Sequence, residues 1–340
     1  MFGVLRFIFA GMVVFTHYTG HEVYAGIGVW GFFLLSGYLM TLVLNEKYTF
    51  STVGIKSFFL SRFFRLYPTY YFVTLLTIVV YIFFFEKGLD EVQATHFYSL
   101  RAVFSNIVIL STTFLGIGRV ETVVSVSWAI EVEILMYVIS ATILAKKPQY
   151  SLRTFIICLV LFPVLWVGSK ISLAHGYQTL ADNLIYSFLP AALLPYSLGS
   201  VLYHYKDLLV ISFTRIRFIG LTILMILIVK VVSPISVTLT YLFSLPVLSV
   251  LVLTLFNAKR SQLDDILGHL TYPIYLIHGL VNEVIRYSAF LQGFVTFDSR
   301  ELYTLPSFVV AFTLNVFLAW CIYVGFDRYI LKFRSKYRNA

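Results

Sequence analysis

The chain has 340 residues, of which 59% are hydrophobic and 12% charged, against roughly 25% charged residues in an ordinary soluble domain. So few charges cannot solvate a globular surface, which excludes a soluble protein and makes lipid the solvent for most of the chain. The formal net charge of +9 excludes rather than suggests nucleic acid as a partner, because Lys and Arg fall in short loops and at the C-terminus, as in the cytoplasmic loops of membrane proteins.

Apolar runs of about 17 to 22 residues recur from end to end, enough to cross a hydrocarbon core of roughly 30 Å at 1.5 Å per residue. They predict spanning helices at about 4–21, 27–44, 66–85, 127–145, 153–169, 184–204, 217–232, 235–256, 266–290 and 305–327. The first loosely imitates a secretory signal, with Arg6, an apolar stretch and the small Ala25. The ionisable His17, His21 and Glu22 just before Ala25 fit a retained helix better. Cys158 and Cys321 lie inside apolar runs, where lone thiols pack as small hydrophobes, so no redox compartment follows.

The stretch 102–118 is apolar but short and rich in Ser, Thr and Gly. Loop charges decide how to treat it. Lys47, Lys56, Arg62 and Arg65 share one side of the membrane with Lys146, Lys147, Arg215, Arg217, Lys259, Arg260 and the basic C-terminus only if 102–118 does not span. Loops 86–101 and 292–303, with Glu86, Asp90, Glu91, Asp298 and Glu301, then fall outside. The expected fold is an all-α polytopic membrane protein, one domain over 1–340, with about ten helices and both termini cytoplasmic. Residues 102–118 would be re-entrant or interfacial, with their backbone sheltered by protein or water. No internal repeat of the kind found in many transporters is visible.

Ionisable groups inside spanning helices are costly and usually mark a pathway or a site. Arg6 and His17 on the first helix lie eleven residues apart, roughly 16 Å along the axis. In SRFFRLYP, Arg62 and Arg65 are three apart on one helix face at the cytoplasmic entry of the third helix. Two guanidinium forks suit phosphate groups, with Arg6 as a third charge; the same arginines are also explained by the positive-inside rule and lipid headgroups. In SWAIEVEILMY, Glu131 and Glu133 are two apart and point to nearly opposite faces, so at most one can be directed at His17. His278, in LGHLTYPIYLIHGL, is either a packed core residue or a participant in chemistry, and His269 reads as interfacial. No metal site is expected, since only His17 and His21 recur at ligand spacing, and no nucleophile elbow, Walker loop or dinucleotide fingerprint is present.

LRFIFAGMVVFTH, GVWGFFLLSGYLMT, SRFFRLYP, SWAIEVEILMY and LGHLTYPIYLIH occur in that order along the chain. In this the sequence resembles the acyltransferase-3 family of membrane acyltransferases, which O-acetylate lipopolysaccharide, peptidoglycan and other envelope or secreted glycans. The resemblance implies a cytosolic acyl-coenzyme A donor, most often acetyl-CoA, a polar tunnel through the helices and a glycan acceptor across the inner membrane. The family's functional Arg and His fall on Arg6 and His17, its motif arginines on Arg62 and Arg65, and its motif glutamate on Glu133. Glu131 departs from the family, which usually has a small or apolar residue there. Many relatives continue into an esterase-like C-terminal domain, whereas this sequence ends at Ala340 as a single-domain form.

Coenzyme A phosphates on Arg62, Arg65 and Arg6 would let the pantetheine arm carry the thioester towards His17. His17 would act as general base on the acceptor hydroxyl with Glu133 orienting it, or would itself be acylated. Ser36, Ser127 and the amides of 102–118 are candidate oxyanion donors, although Ser36 beside Gly37 also suits close helix packing. The competing reading is a transporter or flippase of an envelope-glycan pathway. It leaves the arginine pair in register with a deeper histidine without a purpose.

Overall fold

A computed structural model describes residues 2–84, 100–110, 112–115, 122–209, 214–256, 261–300 and 302–338. Among them the chain is helical throughout, and the only strand-like feature is an isolated bridge between Phe297 and Tyr303. The helices are α1 (Phe2–Thr19), α2 (Glu22–Val43), α3 (Thr52–Phe84), α4 (Leu100–Val108), α5 (Ser127–Ile139), α6 (Pro148–Ala174) and α7 (Gln178–Tyr186). They continue as α8 (Leu189–His204), α9 (Arg215–Val232), α10 (Val237–Phe256), α11 (Gln262–Tyr287), α12 (Leu305–Ile322) and α13 (Arg328–Arg338).

Eight helical stretches among the described residues are long and apolar enough to cross a membrane, and they include α1, α2, α3, α6 and α10. The other two of the ten expected spans form helices outside that group, α9 because it carries more charge and α11 because it is less apolar. α9 carries Arg215, Arg217 and Lys230, and α11 carries Asp264, Asp265, Glu283 and Arg286. For α11 the reason is packing, since it lies against α1, α12 and α3 and has protein where an ordinary span has lipid. The helix expected from 66 begins at Thr52 and runs for 33 residues, roughly 50 Å, so its first turns extend past any hydrocarbon core. Pro68 is accommodated inside it.

Within the described residues of 102–118, no helix is long enough to cross a hydrocarbon core. Helix α4 has nine residues, roughly 14 Å, under half a hydrocarbon core. Positive φ at Ile109 (57°) and Thr112 (64°) then turns the backbone out of helix. The freed polar groups are met by neighbours. Tyr71 donates to the Ile107 carbonyl at 2.6 Å, Tyr67 to that of Val108 at 3.2 Å, and buried Glu131 accepts the Thr112 N–H at 2.9 Å. Leu100, Phe104 and Ile107 face outward. The acidic loop expected at 86–101 lies, up to residue 99, outside the described residues, as do Lys259, Arg260, Glu301 and residues 116–118.

Backbones in the centre approach closely through glycine. A Cβ on Gly37 of α2 would sit 1.9 Å from the Tyr196 carbonyl oxygen of α8, and one on Gly199 of α8 would sit 1.9 Å from that of Leu34. Hydroxyls join the same helices and a third, with Thr41 of α2 donating to Ser200 of α8 at 2.7 Å and Ser200 paired with Ser151 of α6 at 2.8 Å. Small residues and hydroxyl bonds of this kind hold helices together where the hydrophobic effect between them is weak.

Candidate active site

α1 and α11 run parallel and in register. The Val4 N–H, one of the orphan donors at the start of α1, donates to Asp264 Oδ1 at 2.9 Å. Fourteen residues later on each helix, Tyr18 donates to the carbonyl of His278 at 3.0 Å. That register brings the rings of His17 and His278 together, with centroids 5.0 Å apart. His278 is buried, and its Nδ1 lies 2.7 Å from the Tyr275 carbonyl. A carbonyl only accepts, so this nitrogen carries a proton and Nε2 is left as the ring's other site.

Three cavities are arranged in series alongside α1. The first, about 420 Å³, is lined by Phe2, Arg6, Arg65, Phe256, His269 and Tyr272, together with Asp264, Asp265 and Asp327. Among the described residues neither Arg6 nor Arg65 forms an ion pair or hydrogen bond. Two of the carboxylates are committed elsewhere, Asp264 to α1 and Asp327 to the Thr69 hydroxyl at 2.6 Å. The result is a concave site whose two guanidiniums keep their donors available, the chemistry of a phosphate site.

The second cavity is a neck of about 80 Å³. It shares Arg6, Arg65 and Tyr272 with the first and Val29 and Tyr275 with the third. Ser36 and Glu133 face each other across it, with Ser36 Oγ donating to Glu133 Oε1 at 3.2 Å. Tyr137, one turn along α5, donates to the same carboxylate oxygen. Arg6 feels the Glu133 charge.

The third cavity, about 460 Å³, is where His17 opens. It is lined by Trp128, Tyr186, Tyr241 and Tyr275, by the carboxylates of Glu22 and Asp182, and by Asn183 and several hydroxyls. His17 is exposed to it, whereas His278 stands behind the histidine ring.

Of the residues singled out from sequence, Arg6, Arg65, Ser36, Glu133 and His17 thus lie along one path. Arg62 does not line it. Its guanidinium is buried over the rings of Phe58 and Tyr137, 5.7 Å and 5.9 Å from their centroids, with Nη1 3.6 Å from Met40 Sδ. Arg62 Nε has no partner among the described residues. Glu131 is turned to the irregular segment, and Ser127 is bonded to Thr122 at 2.7 Å, away from all three cavities. Glu133 and His17 line different compartments, and the bonds of Glu133 run to Ser36 and Tyr137 rather than to the imidazole. Tyr137, Tyr272, Tyr275, Tyr186, Tyr241 and Asp182 were not singled out from sequence. Of these only Tyr137, at i+4 from Glu133, carried a local signal.

A chain that is helical among its described residues, with eight potential membrane spans there and a charged path between the helices, is a polytopic membrane protein. The family model described as an acyltransferase domain matches residues 2–324 of this chain. The chain therefore belongs to the acyltransferase-3 family and is a membrane acyltransferase. No curated protein and no solved structure matches it.

Proposed function

We propose that the protein moves an acyl group, in the simplest case acetyl, from a cytosolic acyl-coenzyme A to a hydroxyl of a cell-envelope glycan on the outer side of the inner membrane. The observation that carries this reading is the series of cavities leading from the guanidiniums of Arg6 and Arg65, which have no ion pair among the described residues, to the imidazole of His17. Donor phosphates rest on Arg6 and Arg65 in the first cavity, and the pantetheine arm passes the neck beside Glu133 and Ser36. Both termini and the first cavity then face the cytoplasm, in a bundle of about ten spans.

His17 removes the proton from the acceptor hydroxyl as that oxygen attacks the thioester carbonyl carbon. The C–S bond breaks, the leaving sulfur takes the proton from the imidazolium, and ester plus free coenzyme A thiol result. General-base assistance of this kind is typically worth about 100-fold to 10,000-fold in rate. His278, its Nδ1 held by the Tyr275 carbonyl, supports the His17 ring from behind. Ser36 is the candidate oxyanion donor that lies on the path. Glu133 stands beside the path and balances Arg6, rather than orienting His17.

The test is thioester consumption by the purified protein with acetyl-coenzyme A and envelope glycan, for wild type, His17→Ala and Arg65→Ala. The expected result is that His17→Ala retains donor binding but loses turnover, while Arg65→Ala loses donor binding. A wild-type protein that neither binds nor consumes the donor overturns the reading in favour of a carrier.

A further inference from the structure

The cavity that holds His17 differs in chemistry from the one that holds the arginines. Trp128 and Tyr186 meet with centroids 4.9 Å apart, and Tyr241 follows at 6.4 Å from Tyr186, so aromatic surface runs along one part of the lining. The negative face of such rings attracts the weakly positive C–H hydrogens of a saturated polar ring. Around them stand short polar groups, among them Thr179, Thr238 and Asn183, whose buried Nδ2 has no partner among the described residues. Aromatic faces interleaved with hydroxyl, amide and carboxylate groups are what a polyhydroxylated ring needs, since it presents alternating C–H and O–H edges.

The charge of this cavity narrows the class further. Glu22 and Asp182 line it, both act electrostatically on Tyr241, and no Lys or Arg is among its described lining residues. Gln178 donates to both oxygens of Asp182 at 3.0 Å, which fixes the carboxylate but leaves its charge in place. An acidic sugar would bring a third negative charge beside two carboxylates that have no Lys or Arg among the described lining residues, whereas an uncharged sugar would use the same carboxylates as hydrogen-bond acceptors.

We infer that the Trp128–Tyr186–Tyr241 cavity is the acceptor subsite, and that it selects an uncharged sugar residue and rejects uronic and other acidic sugars. The inference rests on the acyl-transfer reading for what is done to the sugar, but not for its binding.

The experiment is saturation-transfer NMR on the full chain in lipid nanodiscs. The probes are the methyl glycosides of glucose, galactose, mannose and rhamnose, compared with methyl glucuronide and methyl galacturonide. At least one neutral glycoside is expected to bind, and the uronides about tenfold more weakly, as like charges at close range require. Asp182→Asn with Glu22→Gln should close that gap, and Asp182 is exposed, so the substitution is compatible with folding. Trp128→Ala should abolish the neutral signal, with Tyr186→Phe as a milder variant that keeps it. No binding of any neutral glycoside, uronide binding equal to neutral binding, or a signal that survives Trp128→Ala overturns the inference. Thioester consumption on the same sample separates the two readings. Consumption without sugar binding removes this subsite alone, and sugar binding without consumption removes the acyl-transfer reading alone.

Discussion

Arg62 and Arg65 are three residues apart in one motif, yet replacing them should have opposite consequences. Arg65 lines both the first cavity and the neck and has no ion pair or hydrogen bond among the described residues, so in the acyl-transfer reading Arg65→Ala removes the proposed donor-phosphate contact and little packing. A hydrogen bond to a charged group is worth about 1.5 to 3 kcal/mol, which corresponds to a donor Kd raised by about 10-fold to about 150-fold. Arg62 is buried over Phe58 and Tyr137 and beside Met40, so Arg62→Ala removes contacts that hold α3 against α2 and α5. Its loss should destabilise by on the order of 2 kcal/mol through cation–π and packing terms while changing the Kd less than about threefold. Isothermal titration of the purified protein with coenzyme A reads the first quantity, and thermal unfolding in the same detergent reads the second. Equal loss of affinity in both variants at unchanged stability would refute the reasoning, because cavity lining would then not be what separates the two arginines.

Three other outcomes follow from local structure. Glu131→Ala should destabilise by about 1 to 3 kcal/mol by leaving the Thr112 N–H without its acceptor, and Glu131→Gln, which keeps a carbonyl oxygen there, should restore most of it in thermal unfolding. Gly199→Ala should lower the unfolding temperature and weaken the α2–α8 contact by about 1 to 3 kcal/mol or more, since the new methyl would lie 1.9 Å from the Leu34 oxygen; an unaltered midpoint would contradict that close approach. In the loop before α12, the backbone N–H of Leu302, then that of Arg300, hold the Asp298 carboxyl below its usual range. A depressed carboxylate contributes its stabilisation above its ordinary pKa of about 3.9 and loses it as pH falls through the lowered value. Protection of the Leu302 amide in hydrogen exchange should therefore fall on acidification, and Asp298→Asn should remove that dependence.

What the sequence made legible were features with a strong local or energetic signature. Apolar run length placed the principal spans, and the shortness of the apolar run at 102–118 agrees with the nine residues of α4. Two boundaries escaped because apolarity does not mark where a helix leaves the membrane. α3 begins fourteen residues before its apolar run, and α7 precedes α8 across a break at Ser187 and Phe188 that hydropathy alone does not show. At the site, Glu131 and Glu133 could be said to point apart, but not which one faced the path, since that depends on how α5 is rotated against α2. Arg62 shows the same limit, because i, i+3 spacing fixes a shared face and not what each side chain meets. The aromatic residues of the third cavity were hidden by number, since they stand among 24 tyrosines and 4 tryptophans, most of them carrying no local distinction.

The distribution of charge along the three cavities also constrains how they can work together. Arg6 and Arg65 stand at the first cavity and the neck together with Asp264, Asp265 and Asp327, whereas the third cavity has Glu22 and Asp182 and no Lys or Arg among its described lining residues, with Glu133 in the narrowest section between them. An anionic group can therefore pair with Arg6 and Arg65 as far as the neck and meets no Lys or Arg among the described lining residues beyond it. In the acyl-transfer reading this holds the phosphates of a donor back while its uncharged arm goes forward. The neck, at about 80 Å³, is too small for such an arm unless a wall gives way. The hydroxyl bonds of Ser36 and Tyr137 to Glu133 are side-chain contacts between helices or within one, and can part without unfolding a span. Tyr272 and Tyr275, tied by their hydroxyls to the carbonyls of Leu66 and Val126, are anchored to backbone at both ends. Opening is thus expected on the Ser36–Glu133–Tyr137 side, so that the wall that moves is also the one that carries the carboxylate facing Arg6.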